Sequence, residues 1–136
     1  TEYMLVEFSP MEDFLYIRSG VEELLGMGYT PIIAHAERIR CIEQNIEYAR
    51  TLKNMGCDIQ INAAGATGEV GFRCRRLVHR LLREQLVDYI ATDAHNADKR
   101  SPAIRKCAEM LYRKYDREYV DGILFRNAAS RLLSSK

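Results

Sequence analysis

The 136 residues hold no CxxC and no close cysteine pair. Cys41, Cys57, Cys74 and Cys107 are scattered, which excludes a disulfide scaffold and predicts reduced, intracellular thiols. Prolines number three, and low-complexity stretches and flexible linkers are absent. Charge of one sign is not concentrated: Lys plus Arg is 20, Asp plus Glu is 19, and the formal net charge is +1. That balance argues against a nucleic-acid groove or an anionic membrane surface as the main partner. No apolar run approaches the roughly 18 residues of a membrane span. No secretory leader pattern is visible, so a cytoplasmic location is expected. The chain begins with Thr, which predicts a piece of something longer.

What the chain does have is rhythm. Apolar residues make up 47% of it, an ordinary globular proportion, and the length suits one domain with its own core. Four short β-prone runs occur at 3–8, 31–35, 58–62 and 87–92. Each is mostly apolar, as strands buried on both faces are. Helical spacing separates them. Phe14, Ile17, Val21 and Leu24 form one pattern, and Ile42, Ile46, Ala49 and Leu52 a second. Leu77, Val78, Leu81 and Leu82 form a third, and Ile104, Ala108, Leu111 and Tyr115 a fourth. Two shorter apolar stretches follow at 119–124 and 128–133. Gly20, Gly28 and Gly56 are placed to stop helices, and Asn127 to cap the last one.

Strand then helix, four times over, predicts four parallel βα units in an α/β fold. Glu7, His35, Asn62 and Asp93 close the four strands at steps of 28, 27 and 31 residues. A step of this size suits a βα barrel, but a complete eight-fold barrel takes about 250 residues. The sheet is therefore either open and doubly wound or part of a larger barrel.

Parallel α/β proteins build their sites at the carboxyl ends of strands. Glu7, His35, Asp93 and His95 stand there. Asp93 and His95, two apart in extended chain, face the same side. Carboxylate and imidazole converging from several strands suit a divalent metal such as Mn, Fe or hydrolytic Zn. Arg38 and Arg100 follow in the loops after His35 and His95. Their planar forks suit phosphate oxygens. Metal and arginine on one rim suggest phosphate-ester hydrolysis.

Other features carry less. Cys74 with Arg80, and Cys107 with Arg113, have the Cys-x5-Arg spacing of thiol phosphatases. Both segments read as helix and lack the glycine of a phosphate-wrapping loop. Gly65, Gly68 and Gly71 form a loose glycine loop with no Walker lysine. His79 reads as a surface or packing residue. Arg73, Arg75, Arg76, Arg80 and Arg83 form a basic helix face, either solvated or a docking surface for an acidic partner.

Four segments carry a resemblance: Leu5-Val6-Glu7-Phe8-Ser9, Pro31-Ile32-Ile33-Ala34-His35-Ala36-Glu37-Arg38, Gln60-Ile61-Asn62-Ala63, and Ile90-Ala91-Thr92-Asp93-Ala94-His95-Asn96 with Arg100. Together they resemble the bacterial CpsB/YwqE-type tyrosine phosphatases of the PHP (polymerase and histidinol phosphatase) superfamily. The resemblance runs from near residue 3 to near residue 133. Asn127 falls on the family's Asn-Pro motif, with Ala128 in place of the proline.

The resemblance implies a distorted PHP-type βα barrel and about three Mn ions acting on a phosphate ester. It implies hydrolysis of phosphotyrosine on a partner bacterial tyrosine kinase that regulates capsule or exopolysaccharide synthesis. By motif match, Glu7, His35, Asp93 and His95 are metal ligands, and Arg38 and Arg100 bind phosphate. The family's His-x-His motif and its further His and Glu ligands are absent from these residues. Residues 1–136 are thus expected to be the carboxy-terminal part of a PHP domain, incomplete and inactive alone. No membrane span and no nucleic acid are expected, and a homo-oligomer is compatible. Two other readings stand beside this one: a non-catalytic truncated α/β domain, and a PHP phosphoesterase acting on a small ester such as histidinol phosphate.

Overall fold

The sheet is built from short runs that carry Val, Ile and Tyr, and the computed structural model describes residues 2–91 and 102–133. Its strands are β1 (Glu2–Val6), β2 (Tyr29–Ile33), β3 (Asp58–Asn62) and β4 (Tyr89–Ala91). All pair in parallel, in the order β1-β2-β3-β4. Each strand lies beside its neighbour in sequence, with no reversal. Right-handed crossovers that step always one way put their helices on one face. A doubly wound sheet needs a reversal, so this sheet is wound as a barrel is. The register is staggered as well: Val6 pairs with Ile33, but Ile33 pairs with Ile59, near the start of β3. Such stagger is what curls a sheet.

Alternation then divides β3. Ile59 and Ile61 are fully buried in the core, while Asp58, Gln60 and Asn62 occupy the other face. Against the core face pack α1 (Phe14–Gly26) through Ile17 and Val21, and α3 (Glu47–Met55) through Ala49 and Leu52. They are joined by α5 (Phe72–Arg83) through Val78, Leu81 and Leu82, and α6 (Pro102–Lys114) through Leu111. Burial of such side chains contributes roughly 1.5–3 kcal/mol each. α1 starts at Asp13, whose side chain accepts from the backbone N–H of Tyr16 at 2.9 Å. It is followed by Gly28 at φ +92°, where any Cβ would be strained.

Several sequence expectations are corrected. The pattern over Ile42–Leu52 is two helices, α2 (Arg40–Gln44) and α3, because Asn45 is extended and its Oδ1 accepts from the N–H of Glu47 at 3.1 Å. Gly20 lies inside α1, beside the ring of Phe8, and stops no helix. Gly65 lies within a short helix, α4 (Ala63–Thr67), packed under Cys74 and Val78, and so belongs to no loop. The two last apolar stretches are one helical run, beginning as α7 (Arg117–Asp121) and continuing through π turns at Gly122–Arg126 and Ala129–Leu133. Asn127 is therefore no cap. Its Nδ2 donates to the carbonyl of Asp88 at 2.9 Å and ties this run to the foot of β4.

The amino-terminal end of the sheet is locked by charge. The Asp88 carboxylate accepts from Lys53 Nζ at 2.6 Å, from Arg131 at 3.0 Å and from the N–H of Ile59 at 2.8 Å. Asp58 accepts from Arg131 at 3.2 Å and from the Tyr89 hydroxyl at 2.6 Å. Among the described residues no helix is long and apolar enough to cross a membrane.

Candidate active site

At the opposite end, β1 and β2 finish level with one another, and the chain turns. The N–H of Ala34 donates to the carbonyl of Val6 at 3.0 Å, extending the pairing by one rung. His35 then adopts left-handed backbone, φ 51° and ψ 46°. For a residue with a Cβ this costs about 1–2 kcal/mol. The 3-10 turn Ala36–Arg38 holds it, with the N–H of Arg38 donating to the His35 carbonyl at 2.9 Å. Strain of this kind gathers at functional sites. Its effect here is to carry the imidazole over the end of β1, where Nε2 lies 3.3 Å from Glu7 Oε1.

Glu7, His35 and the exposed Arg38 line one cleft of about 330 Å³, with Phe8 as its apolar wall. Behind it sits a carboxylate that the sequence reading passed over. Glu37 is buried, and its Oε1 accepts from the N–H of Asn62 at 3.3 Å. Burial raises its pKa above the usual carboxylate value, against the pull of these hydrogen bonds and of Arg38. Glu37 thus ties the turn after β2 to the end of β3. The sequence signal was its place between His35 and Arg38, but a charge in a loop ordinarily reads as solvated.

Asn62 closes β3 at the same rim. Its side chain is buried, and among the described residues neither its Oδ1 nor its Nδ2 has a hydrogen-bond partner; the same is true of His35 Nδ1. Buried polar atoms left unpaired cost about 1–3 kcal/mol each. Ala91 of β4 pairs with Asn62, so β4 ends at this level too. Asp93, His95 and Arg100 lie outside the described residues.

The described pair fits a divalent ion. Two donors each about 2.1 Å from one ion lie about 3.0–3.4 Å apart, and the Glu7–His35 separation is 3.3 Å. Imidazole with carboxylate is a hard-to-borderline donor set. Two donors alone make a weak site, and no group of three or more His, Cys, Asp or Glu able to hold a metal occurs among the described residues.

The thiols lie elsewhere and are muted. Cys74 is on α5 and Cys107 on α6, neither in a phosphate-wrapping loop. Burial pushes the Cys107 thiol up to about 12 and raises Cys74 as well. Both remain protonated near neutral pH and are poor nucleophiles. His79 is a packing residue: its ring is buried and joins Tyr115 Oη to the carbonyl of Ala66, the latter at 3.0 Å.

A singly wound parallel sheet with carboxylate, imidazole and guanidinium on its carboxyl rim defines a partial βα barrel with a polar rim site. Residues 1–133 match the family model described as capsular polysaccharide synthesis, CpsB/CapC, and the chain belongs to that family. It is 31% identical over 137 residues to the tyrosine-protein phosphatase CpsB of Streptococcus agalactiae serotype V, covering 97% of this chain and 56% of that protein. It is 33% identical over 120 residues to the tyrosine-protein phosphatase CpsB of Streptococcus pneumoniae, covering 85% of this chain and 49% of that one. The chain thus spans about half the length of the curated relatives it matches. Among solved structures it resembles a chain from the work on YwqE of Bacillus subtilis and CpsB of Streptococcus pneumoniae, described as metal-dependent tyrosine phosphatases. The TM-score is 0.86 and the identity 28%, over all of this chain and 55% of that one. The four βα units are part of a PHP-type barrel, as the resemblance implied.

Proposed function

We propose that residues 1–136 are the carboxy-terminal part of a PHP domain that hydrolyses phosphotyrosine with the help of divalent metal. The observation that carries this is the placing of His35 Nε2 3.3 Å from Glu7 Oε1, in a cleft also lined by Arg38. Bound divalent ions, Mn by family expectation, would supply Lewis acidity and lower the pKa of an attacking water. Glu7 and His35 would hold such ions, together with Asp93 and His95. Glu37, by bonding Asn62, keeps the His35 turn seated against β3. Arg38 and Arg100 take the phosphoryl oxygens in two-point contact and offset charge that grows during transfer. The cysteines take no part.

The substrate in this reading is a phosphotyrosine on a bacterial tyrosine kinase that regulates capsular polysaccharide synthesis, in the cytoplasm. The chain alone is inactive in this reading, since its donors are half a site. The test joins the amino-terminal half of the Streptococcus pneumoniae relative ahead of residue 2 and assays phosphotyrosine-peptide hydrolysis with Mn. Activity in the chimera, abolished by His35→Ala, is the expected result. A folded chimera that binds Mn yet leaves the peptide intact, or one that hydrolyses histidinol phosphate instead, would overturn it.

A further inference from the structure

A groove away from the rim, between α5 and the junction of α6 with α7, encloses about 510 Å³. Arg75, Arg76, Arg83 and Lys114 line it, against a single carboxylate, Asp116. That carboxylate is already engaged as the cap of α7, accepting from the N–H of Tyr119 at 3.1 Å. None of the four cations has an acidic side chain within ion-pair distance among the described residues. Other arginines of the same helix do: Arg73 meets Glu43 at 2.6 Å, and Arg80 meets Glu84 at 3.5 Å. The helix therefore pairs its cations outside the groove and leaves them unpaired inside it. A chain of net charge +1 concentrates four positive charges against one negative charge there.

The floor is preformed and partly apolar. Leu82, Tyr115 and Tyr119 line it, and the ring of Phe72 is 71% exposed at its mouth. The buried His79 clamps the walls, since it joins α5 to Tyr115, just after α6, and to the end of α4. Burial, and then Lys114, Arg75 and Arg83, hold its pKa below the usual imidazole value, so its own charge does not compete. A groove of this size takes a few residues of ligand.

We propose that this groove docks a short acidic stretch of polypeptide on the protein substrate, with Arg75, Arg76, Arg83 and Lys114 taking its carboxylates and Phe72 and Tyr115 its side-chain stems. The inference rests on the reading that the chain acts on a protein. The groove sets partner choice and encounter rate and leaves the reaction to the rim.

The probe is a fluorescent octaglutamate peptide without phosphate, titrated by anisotropy against the chain. Binding that weakens with salt is expected, with shifts of the Phe72 and Tyr115 ring resonances. Arg75→Glu with Arg83→Glu should weaken it by on the order of tenfold or more, while Arg38→Ala leaves it unchanged. The neutral pair Arg75→Gln with Arg83→Gln, which cannot unfold the chain by repulsion, should show a smaller loss in the same direction. Equal binding by all of these variants, loss on Arg38→Ala alone, or tighter binding of an oligonucleotide or of inorganic phosphate would overturn the proposal. Hydrolysis of p-nitrophenyl phosphate by the chimera is read separately. Its absence strikes the phosphatase reading, and peptide binding would survive it.

Discussion

His35 reaches Glu7 across the β1–β2 edge, Nε2 to Oε1 at 3.3 Å, only because His35 sits in left-handed backbone. The turn spends strain to bring two donors to an ion-sized separation. Half a site follows from half a barrel, so the chain alone should bind Mn weakly. Calorimetry is expected to show at most one weak event per chain, lost on His35→Ala. Tight binding of two or three ions would show that the described donors are not half of the set.

The charge lock at the other end of the sheet makes a stability prediction. Asp88→Asn keeps the shape but removes the charge that Lys53 and Arg131 share, and it weakens the bond to the N–H of Ile59. The loss should be about 1–3 kcal/mol. Glu22→Ala, which breaks only the exposed Arg18–Glu22 pair, should cost within about 0.5 kcal/mol. Urea unfolding of the two variants checks the ranking, and equal midpoints would refute the lock.

His79 makes a pH prediction. Burial, aided by Lys114, Arg75 and Arg83, keeps its folded pKa below 6.5. Below pH 6.5 the unfolded chain therefore binds more protons than the folded one. The stability that His79 contributes is fully present above that value and is lost as pH falls through the folded pKa. The melting temperature of the wild type should drop between pH 7 and pH 5 more steeply than that of His79→Gln. Parallel curves would remove His79 as the cause.

Much of this was legible in the residues. Short, mostly apolar runs located the four strands, and the near-constant step between Glu7, His35 and Asn62 located the described part of the rim. What escaped was set by tertiary contact. β2 ends at Ile33, two residues before the expected end, because His35 turns left-handed, a choice no local preference of histidine dictates. Asn45 broke a continuous apolar pattern by bonding its own backbone, and Asn127 gave up a cap position to reach Asp88. Glu37 looked like a loop charge because only the fold brings β3 over it. Whether the sheet was doubly wound or barrel-like could not be read from spacing, since strand order is a property of pairing.

The measurement closest to the central claim is phosphotyrosine-peptide hydrolysis by the chimera with Mn, run on Arg38→Ala, Arg38→Lys, Cys74→Ser and Cys107→Ser. If Arg38 acts by its planar fork, Lys should be nearly as damaging as Ala. Both should lose on the order of 10²-fold in kcat/KM, comparable to removing one transition-state donor. The serine variants should stay near wild type, because both thiols are protonated by burial and lie on helices. A folded cysteine variant without activity, beside arginine variants that keep it, would contradict the account and point to thiol chemistry.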